Sequence, residues 1–119
     1  MVRRLISIKA SYGFYNRVRF SQSNTKVKTT EDGNTILRLF DIPIAIANPQ
    51  GFIEFSLQGW NTVTTRERLS ALGINIQQRN GVPLVDGQEI SAYSWYKTSW
   101  SIHNPPRNVV NSWTRIERR

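Results

Sequence analysis

The sequence predicts an α+β fold: a small antiparallel sheet built from hairpins, with one short α-helix from about Thr65 to Leu72. Two observations carry this prediction: period-two alternation of apolar and polar residues punctuated by Gly-containing turn pairs, and one run bearing both helix start and stop signals. The 119 residues suffice for one domain, and 39% hydrophobic with 11% aromatic residues is enough to pack its core.

Along the chain, Arg17-Val18-Arg19-Phe20 and Lys26-Val27-Lys28 alternate and suit strands with one basic and one apolar face, so residues 1–28 read as a basic, β-rich segment. Cations on such strands either meet a ligand or merely block unwanted sheet pairing. Next, Thr35 to Phe40 and Ile42 to Ile46 read as apolar strands, Asn48-Pro49-Gln50-Gly51 as a turn, and Ile53 to Leu57 as a half-buried strand. Thr64 and Glu67 form a capping box, and Gly73 stands where a left-handed residue ends a helix. Ile74 and Ile76 open another strand; Asn80-Gly81 and Asp86-Gly87 mark tight turns around Val82 to Val85, with Pro83 implying an edge position. Residues 29–92 thus form a central α+β module. Residues 93–119, with Trp95, Tyr96, Trp100 and Trp113 around Pro105-Pro106, read as an aromatic, basic arm in which Val109, Val110 and Trp113 could anchor a last short element.

Charge divides the chain in the same way. The net +8 resolves into +7 over residues 1–28, −3 over 29–96 and +4 over 97–119. A partner of this surface is anionic: nucleic acid, another polyanion or an acidic protein. The absence of cysteine excludes disulfides, Cys-ligated metal and thiol chemistry. No apolar run approaches membrane-spanning length and the start carries no apolar leader core, so the expectation is a protein without membrane contact, in a host cytoplasm or a virion.

At Gly59-Trp60-Asn61-Thr62-Val63-Thr64-Thr65-Arg66-Glu67-Arg68-Leu69-Ser70-Ala71-Leu72 the chain resembles a domain of small tailed-phage proteins, whose pattern is Gly-Trp-x-Thr-x-Thr-Thr-x-x-Arg-Leu-x-x-Leu preceded by Leu-x-x-x-x-Ile-Ala. Leu39-Phe40-Asp41-Ile42-Pro43-Ile44-Ala45 supplies the preceding part, and the resemblance runs from about Thr35 to Leu84. Relatives carry His-Gly where this chain has Phe40-Asp41. The resemblance implies a phage origin and a compact α+β module, and it brings no activity with it. The Trp-Thr-Thr run also has a plain physical reading, in which Trp60 packs under the helix start and the threonines cap it. Its functional alternative is an anion held at the helix N-terminus with Arg66 and Arg68.

Catalytic signatures are thin. His103 is the sole histidine, no His/Asp/Glu cluster has ligand spacing, and no nucleophile elbow or phosphate loop occurs. Asp41 and Glu54 could face each other across a hairpin, but strand-face carboxylates are usually solvated. The expectation is a non-enzymatic binding protein without catalytic residues, metal or cofactor. The residues predicted to meet nucleic acid or another anion are Arg17, Arg19, Lys26, Lys28, Arg66, Arg68, Lys97, Arg107 and Arg115, with Tyr15, Trp95, Tyr96 and Trp100 as aromatic contacts. The alternative is a structural or anti-defence protein that grips a host or phage protein, or a homo-oligomer that sequesters an anionic nucleotide.

Overall fold

The computed structural model describes residues 2–104 and 113–116. In chain order its elements are α1 (Val2–Asn16), β1 (Phe20–Gln22), β2 (Thr25–Thr29), β3 (Thr35–Leu39), β4 (Ile42–Ala47), β5 (Phe52–Phe55), α2 (Val63–Ser70), β6 (Ile76–Arg79), β7 (Val82–Val85), β8 (Gln88–Glu89), β9 (Tyr96–Ser101) and β10 (Trp113–Arg115). Strands β1 to β5 form an antiparallel meander; β9 joins beside β5 and β10 beside β9, making seven strands in one sheet. Strands β6, β7 and β8 form a second, three-stranded sheet. The fold is α+β, with a larger sheet than predicted and two helices in place of one.

The first half of the N-terminal segment is helix rather than strand. Ile6, Ala10 and Phe14, spaced by four, are buried on one stripe of α1 and pack on the sheet. Beside that stripe, Ser7, Ser11 and Tyr15 keep the same spacing and bond to α2: Ser7 donates to Glu67 Oε1 (3.2 Å), Ser11 to the Ala71 carbonyl (2.8 Å) and Tyr15 to the Leu72 carbonyl (2.6 Å). Two serines on the facing side let the helices approach closely, and Gly13 does the same at the turn, where a Cβ would stand 2.6 Å from the Val18 carbonyl oxygen. The alternation at Lys26-Val27-Lys28 is observed as predicted, with Val27 buried and both lysines exposed on β2.

Burial holds the Tyr15 hydroxyl above its ordinary pKa of 10.0, against an opposing bond donated by Trp100 Nε1 (2.9 Å). The raised pKa means that the folded state keeps this proton longer than the unfolded chain. The stability this contributes is therefore complete below pH 10.0 and is lost as pH rises above it. Tyr15→Phe is expected to lose about 1 kcal/mol at neutral pH, and its urea midpoint should decline less than the wild type's between about pH 9 and 11. An equal decline in both proteins would contradict this.

Helix α2 starts two residues earlier than predicted. Thr62, not Thr64, is the N-cap, its hydroxyl accepting from the Thr65 amide (3.2 Å), while Glu67 turns to Ser7 and Arg68. Gly73 takes φ +105° just after the helix, as its position predicts. The hairpins obey their turn pairs: Asn80-Gly81 and Asp86-Gly87 have positive φ at both positions, as a type I′ turn requires. Pro83 lies in β7, the middle strand of its sheet, and not at an edge. Its place is tolerated because β8 ends at Glu89 and the Pro83 carbonyl accepts from the Ile90 amide (3.0 Å).

Tyr96 and Trp100 belong to the core rather than to an arm: β9 pairs with β5, and both side chains join the cluster containing Phe14, Leu37, Phe55 and Leu69. Tyr96 packs face-to-face with Phe55 at 5.7 Å between ring centres. Ile76, Val85 and Ile90 extend the same cluster, so the two sheets share one core. Of the predicted last element, Trp113 falls in β10, while Val109 and Val110 lie outside the described residues.

Candidate functional site

Both helices lie on one face of the seven-stranded sheet, α1 against β1 to β3 and α2 against β4. Among the described residues no helix or strand is laid over the opposite face, and the register fixes what it displays. Paired residues share a face, so one row across the strands reads Lys28, Ile36, Ile46, Glu54, Lys97 and Thr114. A second row reads Ser21, Lys26, Arg38 and Pro43. Four strand-to-strand steps separate Lys28 from Lys97, roughly 19 Å at ordinary spacing. Phe52 stands half-exposed beside Lys97, whose ammonium sits 5.9 Å from its ring centre. The face thus carries four cations, Lys26, Lys28, Arg38 and Lys97, against the carboxylate of Glu54 and that of Asp41, which pairs with Lys26 at its edge, with an aromatic ring and two isoleucines between them.

Of the predicted site residues, Lys26, Lys28 and Lys97 come together on this face. Others are engaged elsewhere. Arg17 closes on two loops, donating to the Gly33 carbonyl (2.9 Å), Thr35 Oγ1 (2.8 Å) and the carbonyls of Asn48 (2.7 Å) and Pro49 (3.3 Å). Arg68, only 2% exposed, donates to Thr25 Oγ1 (2.9 Å), Ser7 Oγ (2.7 Å) and Glu67 Oε1 (3.1 Å). Arg66 folds back onto the Asn61 carbonyl (2.9 Å). Arg19 is exposed ahead of β1; Arg115 is exposed but in register with Tyr96, hence on the helix side of the sheet. Arg107 lies outside the described residues. As for the aromatics, Tyr15, Tyr96 and Trp100 are tied into the core or its hydrogen bonds, and Trp95 is half-buried just before β9.

Arg38 and Phe52 were not singled out by sequence. The signal for Arg38 was present: one strand phase in Thr35 to Leu39 puts Thr35, Leu37 and Leu39 inside, leaving Ile36 and Arg38 outside. Asp41 and Glu54 do not face one another; Asp41 pairs with Lys26 at 3.1 Å, while Glu54 lies in register with Ile46 and Lys97. Among the described residues no three His, Asp or Glu side chains gather as a metal site would need, and no helix is long and apolar enough to cross a membrane.

The tight turn Phe40-Asp41 joins β3 to β4 with φ +52° and +64°, a left-handed pair without glycine. Phe40, whose backbone N–H donates to the Asn24 carbonyl (2.8 Å), is 67% exposed. It borders an apolar groove of about 450 Å³ between the β3–β4 hairpin and the start of α2. Trp60 lines the same groove and is 56% exposed, so it does not pack beneath the helix.

Neither the curated proteins nor the solved structures compared with this chain give a match. A family model does: that of the Kyanoviridae Gp96 protein matches residues 3–102, from α1 through β9. The match takes in both helices, the cationic sheet face and the Phe40–Trp60 groove, and the chain belongs to this phage protein family.

Proposed function

We propose that this phage protein binds single-stranded nucleic acid, without catalysing a reaction on it, across the uncovered face of its seven-stranded sheet. The observation that supports the reading is the convergence of Lys26, Lys28, Arg38 and Lys97 with Phe52 on one face. A strand laid over such a face places phosphates against the ammonium and guanidinium groups and a base against the ring, the combination by which sheet surfaces hold single strands. Duplex DNA suits it less, because a broad sheet face offers no element that enters a groove. Lys97 of β9 joins cations of β2 and β3 only through the folded sheet, so the proposed surface belongs to the folded domain and not to its tails.

The test is titration of an unstructured oligonucleotide at several salt concentrations. With four cations engaged, the logarithmic salt slope should be about −3. Lys28→Glu, Arg38→Glu and Lys97→Glu combined should weaken binding at least about a hundred-fold and flatten that slope. Arg79→Glu, beside the turn of the second sheet, should change little. A wild-type protein that binds no oligonucleotide at low salt defeats the reading.

A further inference from the structure

We infer that the groove between Phe40 and Trp60 receives a single base of that strand, bent around the β3–β4 turn. This inference rests on the proposed binding of single strands. The groove is walled by Leu39, Ile42 and Ile44 and flanked by the exposed Phe40 and Trp60, with threonines from the start of α2, Thr64 among them, completing its lining. Among the described residues none that lines it is charged. Its volume of about 450 Å³ falls in the ordinary range of small-molecule sites.

What ties the groove to a nucleic acid rather than to an aliphatic ligand is its neighbour. Phe40 also borders a second recess of about 380 Å³, lined by Ser23, Asn24, Lys26 and Asp41. Phe40 therefore borders both an apolar space and a polar one, in which the Lys26 ammonium is paired with the exposed Asp41 carboxylate at 3.1 Å. A nucleotide has the matching division, a flat apolar base joined to an anionic phosphate that takes the place of the Asp41 carboxylate at Lys26, an exchange that an exposed ion pair permits at little cost. Lys26 lies in register with Arg38, so the polar recess opens onto the cationic sheet face. The backbone gives a second argument. A bulky residue at φ +52° is strained, and Asn or Gly would make this turn without cost. Such strain is retained where the side chain it presents is used.

The experiment compares a twelve-nucleotide oligothymidine with an abasic strand of equal phosphate number, on wild type, Trp60→Ala and Phe40→Gly. Phe40→Gly relieves the left-handed backbone, so it keeps the fold while removing the ring. Wild type should prefer the base-bearing strand roughly five- to hundred-fold. Both variants should lower that preference several-fold with the salt slope unchanged. Salt-dependent binding whose base preference survives both substitutions overturns the base site and leaves the sheet-face reading standing, with Phe52 as the stacking ring; a preference that is absent overturns the base site and the stacking on Phe52 together. No binding of either strand at low salt overturns both. An apolar dye that fills the groove in wild type, is lost in Trp60→Ala and is not displaced by the oligonucleotide assigns the groove to an aliphatic ligand and also overturns the inference.

Discussion

Arg68→Ala is expected to destabilise the protein by roughly 3–5 kcal/mol, the cost of breaking a buried charge network by removing one member. The guanidinium joins three elements at once: it leaves α2, bonds Ser7 of α1 and Thr25 of β2, and meets the carboxylate of Glu67. Its removal takes a donor from two buried hydroxyls, those of Ser7 and Thr25, which keep only their own bonds to Glu67 and Asn24. Glu67 is about a third exposed and resolvates, so its share of the loss is small. The thermal midpoint should fall by about 10–20 °C in a domain of this size. Arg68→Met restores the volume but not the bonds and should recover part of the loss. A change below about 1 kcal/mol in the alanine variant would show that the network is not holding the helices to the sheet.

Arg17→Ala should cost about 2 kcal/mol by a different route. Its fork ties the β2–β3 turn, through Gly33 and Thr35, to the β4–β5 turn, through Asn48 and Pro49. The acceptors are carbonyls near the surface, and water replaces part of what the guanidinium gave them. Loss should appear locally as well as globally: amide exchange at Gly33 and Gly51, whose N–H groups close these two turns, should quicken more than exchange at Leu37 in the sheet centre. Uniform acceleration would instead indicate general unfolding. Oligonucleotide affinity measured well below the new melting temperature should hardly move, because Arg17 is spent within the fold.

Both arginines looked like anion ligands in the sequence, and the reason is instructive. An arginine's burial is decided by acceptors distant in the chain; Thr25 and Ser7 lie 43 and 61 residues from Arg68. No local pattern marks such a pairing. Where the information was local, the sequence was sufficient: Asn80-Gly81 and Asp86-Gly87 turn as their chemistry demands, Gly73 ends α2, and Lys26-Val27-Lys28 alternates across the sheet. The Phe40-Asp41 turn was invisible because Phe40 does not favour the left-handed region it occupies and no glycine follows it. Helix α1 escaped because its inward stripe combines Ile6, Ala10 and Phe14 with the serines facing α2, too small and polar a set to announce a helix. For the site, three of its lysines were legible, whereas their meeting with Arg38 and Phe52 follows from a strand order that composition does not encode.

That strand order also sets a sequence of events. The meander from β1 to β5 joins neighbours in the chain, so its loops are short and close quickly. Phe55 and Tyr96, by contrast, meet only after α2 and the whole second sheet have been looped out between them. Pairing of β9 is the least local contact of the sheet, and it pays the larger closure entropy before any burial rewards it. On the binding proposed above, a sheet of β1 to β5 alone would carry Lys26, Lys28 and Arg38 without Lys97, and the surface would be complete only once β9 pairs with β5.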